Sequence, residues 1–133
     1  MRGFQKRLTK QITFSDGAEK ITYTVTAPSP LFGGMLRACY PPPEGDDPAA
    51  KSVYWDARAL ILAAEGLRAT EEIPPHPEPK ANRIAWDAYA HSIGALFEQA
   101  GLTTAMVIAL RDAYQELDGA TDLGEVLEEE GNG

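Results

Sequence analysis

Apolar and polar residues alternate in two stretches near the start of the chain. Leu8, Ile12 and Phe14 share one parity, against Thr9, Gln11 and Thr13 on the other. After Ser15-Asp16-Gly17, the residues Ile21, Tyr23 and Val25 alternate with Thr22, Thr24 and Thr26. Successive side chains of a strand point to opposite faces, so two period-2 runs around an Asp-Gly predict a β-hairpin over 8–26. Its apolar parity is expected to face a core and its threonines to face water. A lone hairpin is only marginally stable, so it must pack on helices or pair with another chain. Open strand edges lead to the expectation of a homo-oligomer formed through the hairpin.

Beyond Ala27-Pro28 the period changes from 2 to 3.6. Ser29 is the expected N-cap and Pro30 the first residue of a short helix over about 30–40, because proline loses nothing where the N–H has no partner. Pro41 to Asp47 reads as a loop. Val53, Ala57, Leu60, Ile61, Ala64 and Leu67 then recur at helical spacing, which predicts a helix over about 50–69. Four prolines between Pro74 and Pro79 make 70–80 a stiff, extended spacer. A helix over about 80–100 is expected to bury Trp86, Tyr89, Ala90, Ile93, Leu96, Phe97 and Ala100, and to end at Gly101. Thr103 or Thr104 caps a last helix over about 104–117, with Met106, Leu110, Ala113, Tyr114 and Leu117 on one stripe. The fold class is therefore α+β: an N-terminal β-hairpin followed by three to four helices packed as a small bundle, a single domain over 1–120.

Charge adds a second boundary. Of 133 residues, twenty are acidic and twelve basic, giving −8. Residues 1–111 balance; all the excess lies in 112–133, which hold eight acids and no base. Residues 121–133 are thus an acidic C-terminal tail. Within it, Leu123, Val126 and Leu127 fall at i, i+3 and i+4, so a helix would gather them between Glu125 and Glu128. This stripe is the candidate partner-binding surface, suited to a basic amphipathic helix that supplies an apolar face and counter-charge. The opening ten residues carry four bases and no acid, but are too short and too poor in aromatics to predict nucleic-acid binding.

Catalytic and metal-binding patterns are missing from the sequence. Cys39, His76 and His91 are isolated, without the short ligand spacings of a zinc site, and Asp46-Asp47 lacks the glycine and final glutamate of a calcium loop. No nucleophile motif is present, and a Cys39–His91 dyad is weaker than reading Cys39 as a small core residue. Helical-wheel position places His91 off the apolar face. Gly33-Gly34 has no phosphate-loop context, and adjacent Glu71-Glu72 cannot converge on one substrate. No cofactor, metal or enzymatic activity is expected. The longest apolar runs, Ala59–Ala64 and Ala105–Leu110, are far short of a membrane span, and no signal-peptide h-region follows the basic start. A single cysteine suits a reducing compartment. The expectation is a cytoplasmic protein.

The order of elements resembles a known family. A hairpin with Asp16-Gly17 at its tip leads through Pro28-Ser29-Pro30 into several short helices and an acidic end, as in the tail assembly chaperones of long-tailed bacteriophages and related prophage elements. The resemblance covers the element order of most of the chain and carries no diagnostic motif, so it transfers no site residues. It implies a small protein of the host cytoplasm that binds a tape-measure-like partner while tail tube subunits polymerise. It also implies that the end Glu128-Glu129-Glu130-Gly131-Asn132-Gly133 suits a frameshift to a longer form. Two alternatives stand beside it: a virion component such as a head–tail connector or tail subunit, and a small ligand-binding or enzymatic domain using Trp55, Trp86 and Tyr89.

Overall fold

The computed structural model describes residues 7–119. The chain forms strands β1 (Thr9–Ser15) and β2 (Lys20–Thr26), then helices α1 (Pro30–Cys39), α2 (Pro48–Leu67), α3 (Arg83–Gln99) and α4 (Thr104–Gly119). The architecture is α+β, a two-stranded antiparallel hairpin followed by four helices. The 121–133 tail, with Leu123, Glu125, Val126, Leu127 and Glu128, lies outside the described residues.

The hairpin register runs from Thr9 opposite Thr26 to Ser15 opposite Lys20. Asp16 holds the turn: its carboxylate accepts from the N–H groups of Ala18 (2.9 Å) and Glu19 (2.7 Å), while Gly17 takes φ +95°. Those backbone donors, Glu19 first, hold the Asp16 carboxyl below its ordinary range. The parity reading is correct for β1, where Ile12 and Phe14 are half-buried and Thr9, Gln11 and Thr13 exposed. In β2 it breaks down at both ends. Ile21 is 44 % exposed at the tip, and Thr26 is buried where the strand dives toward the helices.

The apolar face of the hairpin packs on α2 and α4. The donation of Ala27 N–H to Leu8 C=O (2.8 Å) fixes which residues point their backbone groups outward: Thr9, Gln11, Thr13 and Ser15 on β1, and their partners Thr26, Thr24, Thr22 and Lys20 on β2. Thr70 Oγ1 donates to the outward carbonyl of Thr24 (3.2 Å). The outward backbone groups of Thr9, Gln11 and Thr13 have no partner among the described residues.

Each helix start has a side-chain cap. Ser29 accepts from Leu31 N–H with Pro30 at the first turn, Asp47 from Ala49 with Pro48, Asn82 from Ala85, and Thr103 from Met106. Gly101, at φ +80°, ends α3, and the axis bends by 117° into α4. The 50–69 and 80–100 expectations shift by two or three residues at their starts because the caps sit at Asp47 and Asn82.

Helix α2 is central, touching α3, α4 and β2. Its second half is enclosed on several sides at once, with Ile61, Ala63, Ala64 and Leu67 each at most 1 % exposed. Val53, predicted on the buried stripe, is 68 % exposed, because the first half of α2 buries Tyr54 instead. In α4 the buried residue of the first turn is Val107, with Met106 half-buried. In α3, Ala100 is exposed and Leu96 half-buried, since the chain is already turning away at Gly101. Trp86, Ile61, Ile93 and Leu110 are fully enclosed. Burying an aliphatic side chain of this size contributes about 1.5–3 kcal/mol.

All five tyrosines have ionisations pushed above their ordinary value, in each case chiefly by burial. At Tyr40 the hydrogen bond donated to Asp87 (2.5 Å) adds to the effect. A raised pKa in the folded state favours the neutral phenol. Its contribution to stability is complete below the unfolded value of about 10 and is lost as pH rises through the folded value. Phenolate absorbance of the native protein is therefore expected to rise only at higher pH than in the urea-unfolded chain. Coincident curves would show the rings to be accessible.

Candidate functional site

The residues singled out by their chemistry do not come together. Cys39 donates from Sγ to Pro79 C=O, and His91 stands exposed on α3, with no hydrogen bond between them. Asp47 is the cap of α2 and Asp46 pairs with Lys51. Gly33 and Gly34 lie inside α1 beside Arg37. Among the described residues no group of three His, Cys, Asp or Glu could hold a metal ion. Among the described residues, Trp55, Trp86 and Tyr89 line no common cavity. Trp86 and Tyr89 are core, while Trp55 is 49 % exposed with the Arg58 guanidinium 5.5 Å from its ring centre.

The proline segment, without helix or strand over 72–78, is fastened to the body. Arg68 donates from Nη1 to the carbonyls of Ile73 (3.2 Å) and Pro74 (2.8 Å), from Nε to Glu65 (2.9 Å) and from Nη2 to the Tyr89 hydroxyl (2.7 Å). His76 lies against Trp86, ring centres 5.8 Å apart and 15° from parallel, with Phe32 on another side at 5.4 Å. A planar fork of five donors reaches two carbonyls, a carboxylate and a hydroxyl together, four acceptors against the three N–H groups of an ammonium. Arg68→Lys is expected to cost about 1–3 kcal/mol, chiefly through the Ile73 carbonyl left unpaired, since the Tyr89 hydroxyl also donates to Pro74 C=O (3.3 Å). It should also speed proteolysis within 70–80, and unchanged cleavage would show the segment to be held by the aromatics alone.

A surface of a different kind lies where the hairpin tip meets the corner between α3 and α4. Three cavities adjoin there, of about 560, 330 and 140 Å³, and Leu102 lines all three. Phe97 lines the first two; Tyr23 and Ala100 line the second and third. The lining mixes apolar side chains with the hydroxyls of Ser15, Thr103 and Thr104, and Ile21 and Ile108, 44 % and 39 % exposed, stand on it open to solvent. The charged residues lining it are Asp16, Glu19, Asp56, Glu71, Glu72 and Glu98. Among the described residues, no Lys or Arg lines any of the three cavities and none of the six acids is ion-paired.

Each part has a local origin. The Asp16 turn brings Phe14 and Ile21 to the tip, Gly101 permits the sharp corner that turns Leu102 inward, and Thr70 ties the start of the proline segment, with Glu71 and Glu72, to β2. Sequence reasoning had no means to find this surface: its parts come from four segments, each unremarkable alone. Among the described residues, no single helix is long and apolar enough to cross a membrane. Comparison with protein-family models, with curated proteins and with solved structures finds no match to this chain.

Proposed function

We propose that the protein is a non-catalytic assembly chaperone that holds a protein partner, acting in the host cytoplasm on a tape-measure-like protein during phage or prophage tail morphogenesis. The observation that supports this reading best is the open, largely apolar surface around Leu102, whose charged lining residues, among those described, are all acids. An exposed aliphatic patch of this kind serves protein recognition, and its charge repels nucleic acid and anionic membrane surfaces. The hairpin-then-helices order adds the family resemblance. The test is co-expression with the long helical product of the adjacent reading frame. A chaperone keeps that product soluble, co-purifies with it and is missing from finished particles. Stoichiometric presence in purified particles would replace this reading with that of a virion subunit.

The second reading draws on the β1 edge, whose outward groups at Thr9, Gln11 and Thr13 can pair with another β1. Self-association is proposed through that edge. Gln11→Pro removes an outward donor without breaking the hairpin ladder. It is expected to shift light scattering from oligomer to monomer with little change in melting temperature. A wild-type chain that is monomeric at high concentration would end the proposal.

A further inference from the structure

The surface at the α3–α4 corner is built for one sign of charge. We infer that it seats a basic amphipathic helix from the partner, with aliphatic side chains entering beside Leu102 and Lys or Arg reaching the rim. This rests on the reading of the protein as a partner-binding protein, and not on the phage assignment.

The argument begins with the floor. Leu102, Ala100 and the ring of Tyr23, with Ile21 and Ile108 open to solvent, offer mainly apolar surface, so an occupant must present an apolar stripe. A helix with apolar residues at i, i+3, i+4 and i+7 does so along one side. The rim then selects among such helices. Glu71 and Glu72 stand on one side, Asp56 and Glu98 on another, and Asp16 and Glu19 at the hairpin tip. Asp16 is held ionised by the backbone donors of its own turn. An acidic or neutral helix would leave these six charges crowded without counter-charge, whereas a basic flank pairs with them. The occupant is therefore chosen by charge and held by apolar contact.

The test uses the full chain and a fluorescein-labelled Lys/Leu amphipathic peptide of about 18 residues, five helical turns. A Glu/Leu peptide of equal length serves as its counterpart, and binding is read by anisotropy. Wild type is expected to bind the Lys/Leu peptide, more weakly as salt rises, and to ignore the Glu/Leu peptide. Glu72→Lys with Glu98→Lys should weaken binding by about tenfold or more through rim charge. Ile21→Thr with Ile108→Gln, at two solvent-exposed positions, should weaken it comparably through the floor. Glu44→Lys with Glu78→Lys changes net charge equally but away from the groove, and Glu128→Gln, Glu129→Gln and Glu130→Gln remove charge from the tail; both should bind like wild type. The inference is overturned by no binding, by equal binding of the acidic peptide, by groove variants that bind like wild type, or by comparable losses in either control. It is overturned too if wild type is a dimer that Glu72→Lys with Glu98→Lys dissociates, since a second copy then occupies the groove. Success here with failure of the co-expression test would keep the groove and remove the phage assignment; the reverse would leave a chaperone using another surface.

Discussion

Replacing Trp86 with alanine is expected to cost about 3–5 kcal/mol in urea unfolding, the range for deleting a buried large aromatic. Trp86 is fully buried and is the hub of the aromatic cluster, with Tyr40, His76 and Tyr89 ring centres 5.8 to 6.5 Å from its own. Its loss would undo the packing of α1, α3 and the proline segment together. One detail separates ring from polar atom: Trp86 Nε1 is buried with no hydrogen-bond partner among the described residues. An unsatisfied buried donor costs about 1–3 kcal/mol, so Trp86→Phe removes that penalty while leaving a smaller void. Its net loss is expected to be less than about 1.5 kcal/mol. His91→Ala, on the exposed side of the same helix, should change stability by less than about 0.5 kcal/mol. Equal losses at Trp86 and His91 would mean that the buried face of α3 is wrongly placed.

Gly66→Ala is the second large effect. A Cβ at Gly66 would lie 2.8 Å from Val25 Cγ1 and 3.2 Å from Tyr114 Cδ2. Val25 is fully buried and Tyr114 nearly so, so neither can swing aside into solvent. This is the point where hairpin, α2 and α4 converge, and added volume there forces backbone to move. A loss of about 1–3 kcal/mol is expected, although alanine is otherwise the better helix former. Val25→Ala in the same chain should return part of that loss, because it removes the atom met first. A double variant no better than the sum of the single changes would place the clash on Tyr114 instead.

The local signals in the sequence translated well into structure. Asp16-Gly17 with flanking alternation specified the hairpin, and Ser29-Pro30 specified the start of α1, because turns and caps depend on a few adjacent residues. Side-chain burial on α2 was harder to read. A single stripe assumes one buried face, but α2 sits between three neighbours, so Ala63 and Gly66 are as buried as Ile61 and Leu67, while Val53 faces solvent. In the proline segment, composition predicted extension but not attachment, since attachment depends on Arg68 and Trp86 from other elements. The acidic-rimmed surface was illegible for the same reason. Ile21, Glu72 and Glu98 each border a cavity that Leu102 also lines, an arrangement that depends on the 117° turn between α3 and α4.

The two tryptophans occupy opposite environments, and that makes the chain its own optical probe. Trp86, enclosed against His76, should emit toward the blue and resist iodide. Trp55, half-exposed beneath Arg58, should emit toward the red and quench readily. Trp55→Phe would therefore leave a single emitter reporting on the junction of α1, α3 and the proline segment. Trp86→Phe would leave one that senses only the surface of α2. With that pair, detachment of the proline segment could be followed separately from global unfolding, without attaching any dye.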